Sequence, residues 1–318
     1  MEPRNPRAEA TALLPSGYEA RVLEPSPPCN TEPAWYADDP TDPSGAEAML
    51  VTPIPGEGIT WDQKASEHPE LIAFAASHWL GCYRRLQPLP EGYDSTRRAL
   101  HQLAFFAVAP KRHSSTGKIG LRYTHLGFGT PFFGEGEQVR VEGGMLIRQA
   151  GEKVGQARVT TLSEACVFVE IPYRETWFEG FRDPLEPVGA DTELLITQEA
   201  ADALGDWFGF GASVLEQVRR TKDVAEVGRV QLWPEHFDLG FEMGIGAQRA
   251  TYGASPGDDR HPEPYLYVGP WEAGDSPNSF WNDRAFNGAS LSYRILLESD
   301  DQHIAARDFY EHAYRLLG

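Results

Sequence analysis

The sequence predicts an α+β fold: antiparallel β-meanders flanked by helices, behind an extended, proline-rich N-terminal arm. Three observations predict it. Apolar residues recur with the helical period over 66–86, 94–110 and 197–220, and with the two-residue period of strands in between. The strand-like runs are short and joined by glycine-rich turns, which marks hairpins and not parallel crossover units. The order helix, meander, helix is also written twice. That order predicts a tandem pseudo-repeat; an accidental likeness of element order is the alternative, because the two halves share little sequence.

Residues 1–60 hold 11 of the 25 prolines and three basic residues, yet Trp35, Tyr36 and the Met49–Ile54 run interrupt the polar stretches. A solvated linker has no use for such anchors, so this segment is expected to lie extended on the core. Residues 61–180 form the first expected α+β unit and 181–318 the second, together one compact globule. Leu71, Phe74, Ala75, His78, Cys82 and Leu86 share one face of a helix over 66–86. A second helix over 94–110 opens at Asp94 or Ser95 and is expected to stop at Pro110. "GKIGLRYTHLGFGTPFFG", "EQVRVEG" and "GMLIRQAG" then alternate as a meander. Residues 160–171 read as a short helix opened by Thr161 or Ser163, although their valine and phenylalanine content also suits a strand. Leu204, Trp207, Phe208, Gly211, Leu215 and Val218 lie on one face of a long helix over 197–220. Strands follow at 227–243, 248–253, 264–271 and 289–297, and "DQHIAARDFYEHAYRLL" closes the chain as a helix.

Composition narrows the function. The net charge of −19 repels phosphate backbones and anionic lipid heads. The basic runs "YRR" and "APKRH" are too short to offset it, so neither nucleic acid nor membrane is an expected partner. No apolar run approaches the roughly 18 residues of a membrane span, and the first twenty residues lack a signal peptide's apolar stretch; a cytoplasmic protein is expected. Cys29, Cys82 and Cys166 have no metal-ligand spacing and are expected to stay reduced.

Most chemical motifs fail on their own mechanics. "GASPG" (253–257) matches the serine-hydrolase elbow, but the residue after Ser255 is Pro256, which has no N–H to give an oxyanion hole. "GFGASV" and "GIGAQR" lack the third glycine and the β-α-β context of a dinucleotide fingerprint. No nucleotide-binding signature is complete, and no cofactor is named by the sequence. Gly205, Gly209 and Gly211 in the long helix are expected to let a neighbour pack closely.

The candidate site comes from "VQLWPEHFDLGFEMG" (230–244). Read as one strand, it puts Trp233, Glu235, Phe237, Leu239, Phe241 and Met243 on one face. His236, Asp238, Gly240 and Glu242 fall on the other. Same-face neighbours lie about 6.5–7 Å apart, so His236 and Asp238 are the candidate catalytic pair: an imidazole for proton transfer and a carboxylate to orient it. The following loop, "YGASPGDDRHPEPYLYVGPW", adds Asp258 and Asp259 to the cleft. With it, Trp233, Glu242, His261, Glu263 and Tyr265 complete the candidate ligand-binding set. If a metal is present, His236, Asp238 and His261 are its candidate mixed N/O ligands. A sheet with one wet side needs the same polar alternation and is the competing explanation.

"LWPEHFD", "YGASPGDDRHPEPYLYVGPW" and "FWND..FNGASLSY" (280–293, dots for Arg284 and Ala285), with "GKIGLRYTHLGFGTPFFG" and "QVRVEG", together resemble a family of actinobacterial hypothetical proteins without an assigned activity. The likeness spans most of the chain and implies a source but no residue roles. The expected function is a cytoplasmic small-molecule-binding protein, with a non-redox enzyme using the His/carboxylate site as its catalytic form. The rival is a non-catalytic interaction or scaffolding protein whose acidic surface meets a basic partner. Ligand identity, metal dependence and oligomeric state stay open at this stage.

Overall fold

A computed structural model describes residues 18–20, 82–124, 126–131, 133, 137–150, 153–177, 185–220, 227–228, 230–272 and 278–318. The expected anchors Trp35, Tyr36 and Met49–Ile54 lie outside the described residues, as does 66–81 of the first expected helix. At that helix's end the expectation fails. Cys82–Arg84 is a strand (β2) that pairs antiparallel with Tyr18–Ala20 (β1). A backbone partner overrides the helical period there.

Helix α1 (Tyr93–Leu103) runs through a π-helical turn (Ala104–Val108) into α2 (Ala109–Thr116). Pro110 therefore does not end the helix. It falls in the first turn after the π-helical bulge, where a missing N–H costs little. The carbonyl of Phe106, four residues earlier, to which Pro110 has no N–H to offer, accepts from Cys166 Sγ at 3.5 Å. Cys166 is a free, buried thiol, and burial pushes its pKa up to about 11.

Five strands follow in consecutive order: β3 (Arg122–Thr124), β4 (Gly127–Gly129), β5 (Glu137–Glu142), β6 (Met145–Ala150) and β7 (Lys153–Ala157). Helix α3 (Leu162–Phe168) is capped by Thr161, whose hydroxyl accepts from the Glu164 amide, while Glu164 reaches back to the Thr160 amide. The long helix α4 (Gln198–Arg220) introduces a second meander: β8 (Gln231–Trp233), β9 (Asp238–Met243), β10 (Ala250–Ser255), β11 (Tyr265–Pro270) and β12 (Ala289–Ser292). Residues 293–298 are helical (α5, Tyr293–Glu298), so the strand expected to reach 297 ends at Ser292. Helix α6 (Gln302–Leu317) closes the chain, with Asp301 capping the Ile304 amide.

The two meanders share strand order and are each entered from a helix and left into one. They also meet. Leu121, just before β3, and Leu232 in β8 exchange both backbone hydrogen bonds at 2.8 Å. An antiparallel pair of that kind carries a local two-fold axis, and this single bridge joins the two sheets at their first strands. Helix α4 lies across the seam. An added Cβ on Gly205 would strike the Leu126 backbone and one on Gly209 the Tyr123 ring, while on Gly211 it would press on Ala254 of the second meander. The expected close packing at these glycines is what lets one helix serve both sheets. Trp207, Phe208, Phe210, Leu215 and Val218 of α4 are fully buried beneath it. Among the described residues no helix is long and apolar enough to cross a membrane.

Candidate functional site

The run 230–244 is a hairpin, not a single strand. Strands β8 and β9 are separated by a turn at 234–237 and pair with Trp233 opposite Asp238. Pro234 starts the turn, and Phe237 ends it in the left-handed region at φ 55°. That conformation is costly for a bulky residue. It is held by packing, since the Phe237 ring sits 5.0 Å from Phe128, 5.3 Å from Phe208 and stacks on His101 at 5.1 Å. The turn shifts the parity of the run. Leu232 joins Leu239 on the core face, whereas Trp233 joins the face of Asp238, Gly240 and Glu242.

That second face continues over β10 and β11 as Ser255, Gly253, Tyr265 and Tyr267. Tyr267 lies flat across Gly253, where a Cβ would overlap its ring, and its hydroxyl donates to Asp238 Oδ2. Phe286 meets the same ring edge-on at 5.7 Å. Asp238 is thus covered. Burial pushes its carboxyl up to about 6, against the opposing pull of His236 and Tyr267, and Oδ1 has no partner among the described residues.

The loop after β10 folds over this face. Asp258 Oδ1 accepts from the amides of Arg260 (2.7 Å) and His261 (2.8 Å), and Oδ2 accepts from the Tyr265 hydroxyl at 2.7 Å. Burial works against ionisation of Asp258, but these hydrogen bonds overcome it and hold the carboxyl below its ordinary range. His261 stands between two carboxylates, Nε2 3.0 Å from Asp283 and Nδ1 3.5 Å from Asp258. The Asp283 side chain is buried.

Beside this loop a cavity of about 600 Å³ opens between α1, residues 185–195, the turn residue Glu235 and the carboxylates Asp258 and Asp259. Its walls are tied together by hydrogen bonds. Gln102 holds the Glu186 carbonyl at 2.8 Å and the Val188 amide at 3.2 Å, and Thr96 receives the Thr197 amide at 3.0 Å. His101 lines it with Nε2 2.9 Å from the Pro234 carbonyl, and burial pushes its pKa down to about 4, so the ring is neutral near pH 7. Arg97 Nη2 binds Asp94 at 2.6 Å, and Arg98 binds Asp94 at 3.0 Å and Asp259 at 2.7 Å. Burial raises the pKa of Glu235.

The candidate residues therefore separate. Asp238, Tyr265 and His261 gather on or over one sheet face. His236 is exposed in the turn and not beside Asp238 on a strand, although it stays close enough for its charge to act on the Asp238 carboxyl. Trp233 is half-buried at the hairpin end and Glu263 is exposed. Glu242 bonds Arg249, whose guanidinium lies 3.8 Å over the Trp271 ring, away from the cavity. Among the described residues no group of three His, Cys, Asp or Glu side chains is arranged to hold a metal ion, the trio His236, Asp238 and His261 included. Sequence reasoning missed Arg97, His101 and Glu235. His101 read as one more helical residue, and Glu235 as an intruder on the apolar face. Comparison with known proteins returns no match to a family model, a curated protein or a solved structure.

Proposed function

We propose that this is a cytoplasmic protein that binds a small polar molecule in the cavity between α1, residues 185–195 and the β8–β9 turn. The observation that carries this reading is the cavity itself. At about 600 Å³ it falls within the range typical of small-molecule sites, and four segments remote in sequence wall it. Its lining combines Ala99, Leu185, Val188, Leu194 and Leu195 with polar groups from α1 and the turn. An apolar surround with a few polar groups of set position is what orients a ligand. Asp258 belongs both to the wall and to the His261–Asp283 pair, which supports proton-transfer chemistry of a non-redox kind. A scaffolding role asks for a broad exposed aromatic patch. Among the described residues Trp271 is the one aromatic among the large exposed apolar side chains, and it is occupied by Arg249.

Native mass spectrometry of freshly purified protein tests the binding reading. A co-purifying small molecule is expected, and Ala99→Phe, which fills the cavity from a buried position on α1, is expected to lose it while keeping a native circular dichroism spectrum at the cost of a lowered melting temperature. A bound molecule retained in full by Ala99→Phe would place it elsewhere and sink the proposal.

A further inference from the structure

Two side chains of the lining each hold a buried polar atom with no partner among the described residues, and the two atoms are of opposite kind. Arg97 is 4% exposed, and its Nε–H donates to nothing. Glu235 Oε2 accepts from nothing. An unpaired buried donor or acceptor destabilises the fold, so an occupant that brings one acceptor and one donor within reach of these two side chains would relieve both.

Charge decides what kind of donor. Five carboxylates (Glu186, Glu193, Glu235, Asp258 and Asp259) line the cavity with two guanidiniums, Arg97 and Arg98. Both guanidiniums are already bound to carboxylates, through Asp94 and Asp259. The wall is thus net acidic, and Glu235 has no cation beside it in any ion pair of the described residues. A half-buried carboxylate in that position is best satisfied by a cationic donor. An acceptor is wanted on Arg97, on the α1 side, and the apolar residues 185, 188, 194 and 195 leave room for a hydrocarbon part.

Resting on the binding proposal above, we infer that the cavity takes an amino-acid-like zwitterion. Its ammonium group faces Glu235 and Asp258, its carboxylate or carbonyl faces Arg97 Nε, and its side chain lies against Leu185, Val188, Leu194 and Leu195.

The test screens the common L-amino acids at millimolar concentration by thermal shift on the intact chain. The best of them is then compared with its decarboxylated amine and its deaminated acid by titration calorimetry. The whole amino acid is expected to bind at least tenfold tighter than either fragment. Glu235→Gln is expected to weaken the amino acid and the amine about tenfold while leaving the acid unchanged. Arg97→Lys, which keeps the charge for Asp94 but removes Nε, should weaken the amino acid and the acid and spare the amine. No thermal shift with any amino acid overturns the inference. So does a deaminated acid that binds as tightly as its parent, or equal loss of all three ligands in Glu235→Gln. If Ala99→Phe still discharges a co-purified molecule that lacks an ammonium group, the binding proposal survives and only the ligand class fails.

Discussion

Asp238 and His101 lie on either side of the same turn and titrate against each other. The carboxyl of Asp238 is raised by burial to about 6, so the folded protein holds this proton more tightly than the unfolded chain does. Its contribution to stability is therefore full below about pH 4 and is lost as pH rises through 6. His101 is depressed by burial to about 4 and contributes the reverse: stability present above its unfolded value and lost as pH falls toward 4. The two slopes oppose each other over nearly one window. Urea unfolding of Asp238→Asn is thus expected to gain stability relative to the parent between pH 4 and 6, by up to about 3 kcal/mol at about 1.4 kcal/mol per pKa unit. His101→Asn is expected to lose ground to the parent over the same window. Two variants whose curves run parallel to the parent's would refute the opposition. Of this pair, the sequence pointed to Asp238 alone, through its place in an alternating run. The neutral histidine is invisible in sequence because its burial is made by Phe237 and Pro234, remote along the chain.

At the scale of an element, β10 shows how a strand makes a slot. Gly253 stands in the register row Gly240–Gly253–Tyr267, and the missing side chain is what allows the tyrosine ring to lie flat and reach Asp238. Gly253→Ala is expected to cost about 1–3 kcal/mol through overpacking and to free Tyr267, seen as a changed near-ultraviolet tyrosine signal. A loss below half a kcal/mol with an unchanged signal would show that the ring is not held by the slot. Strands β9 to β11 were legible because one face is apolar and the other polar over each. The hairpin at 234–237 was not, because its four turn residues continue the alternation by eye while the backbone reverses direction. Helix α1 ran past Pro110 for a similar reason: a π-helical turn is set by packing against α3 and leaves no mark in the helical period.

Over the whole molecule, the two meanders share a seam at Leu121 and Leu232 and a common cover in α4. Neither half owns its core, since the helix that covers β3, β4 and β5 belongs to the second half of the chain. Calorimetric unfolding is expected to be a single transition, with equal calorimetric and van't Hoff enthalpies. Two resolved transitions would mean the seam is a domain boundary. The repeated order of elements was readable, whereas the junction was not, because Leu121 and Leu232 are two ordinary leucines 111 positions apart.

The shared helix also has a consequence for a chain still being made. Strand β7 ends at Ala157, but α4 ends only at Arg220. At about 5–20 residues per second, the ribosome leaves the first meander without its cover for roughly 3–13 s. During that interval Val139, Val141 and Leu146, all buried in the finished protein, face the surroundings. The nascent first half therefore presents apolar surface for that interval in a way that the second half, made after its helix, does not.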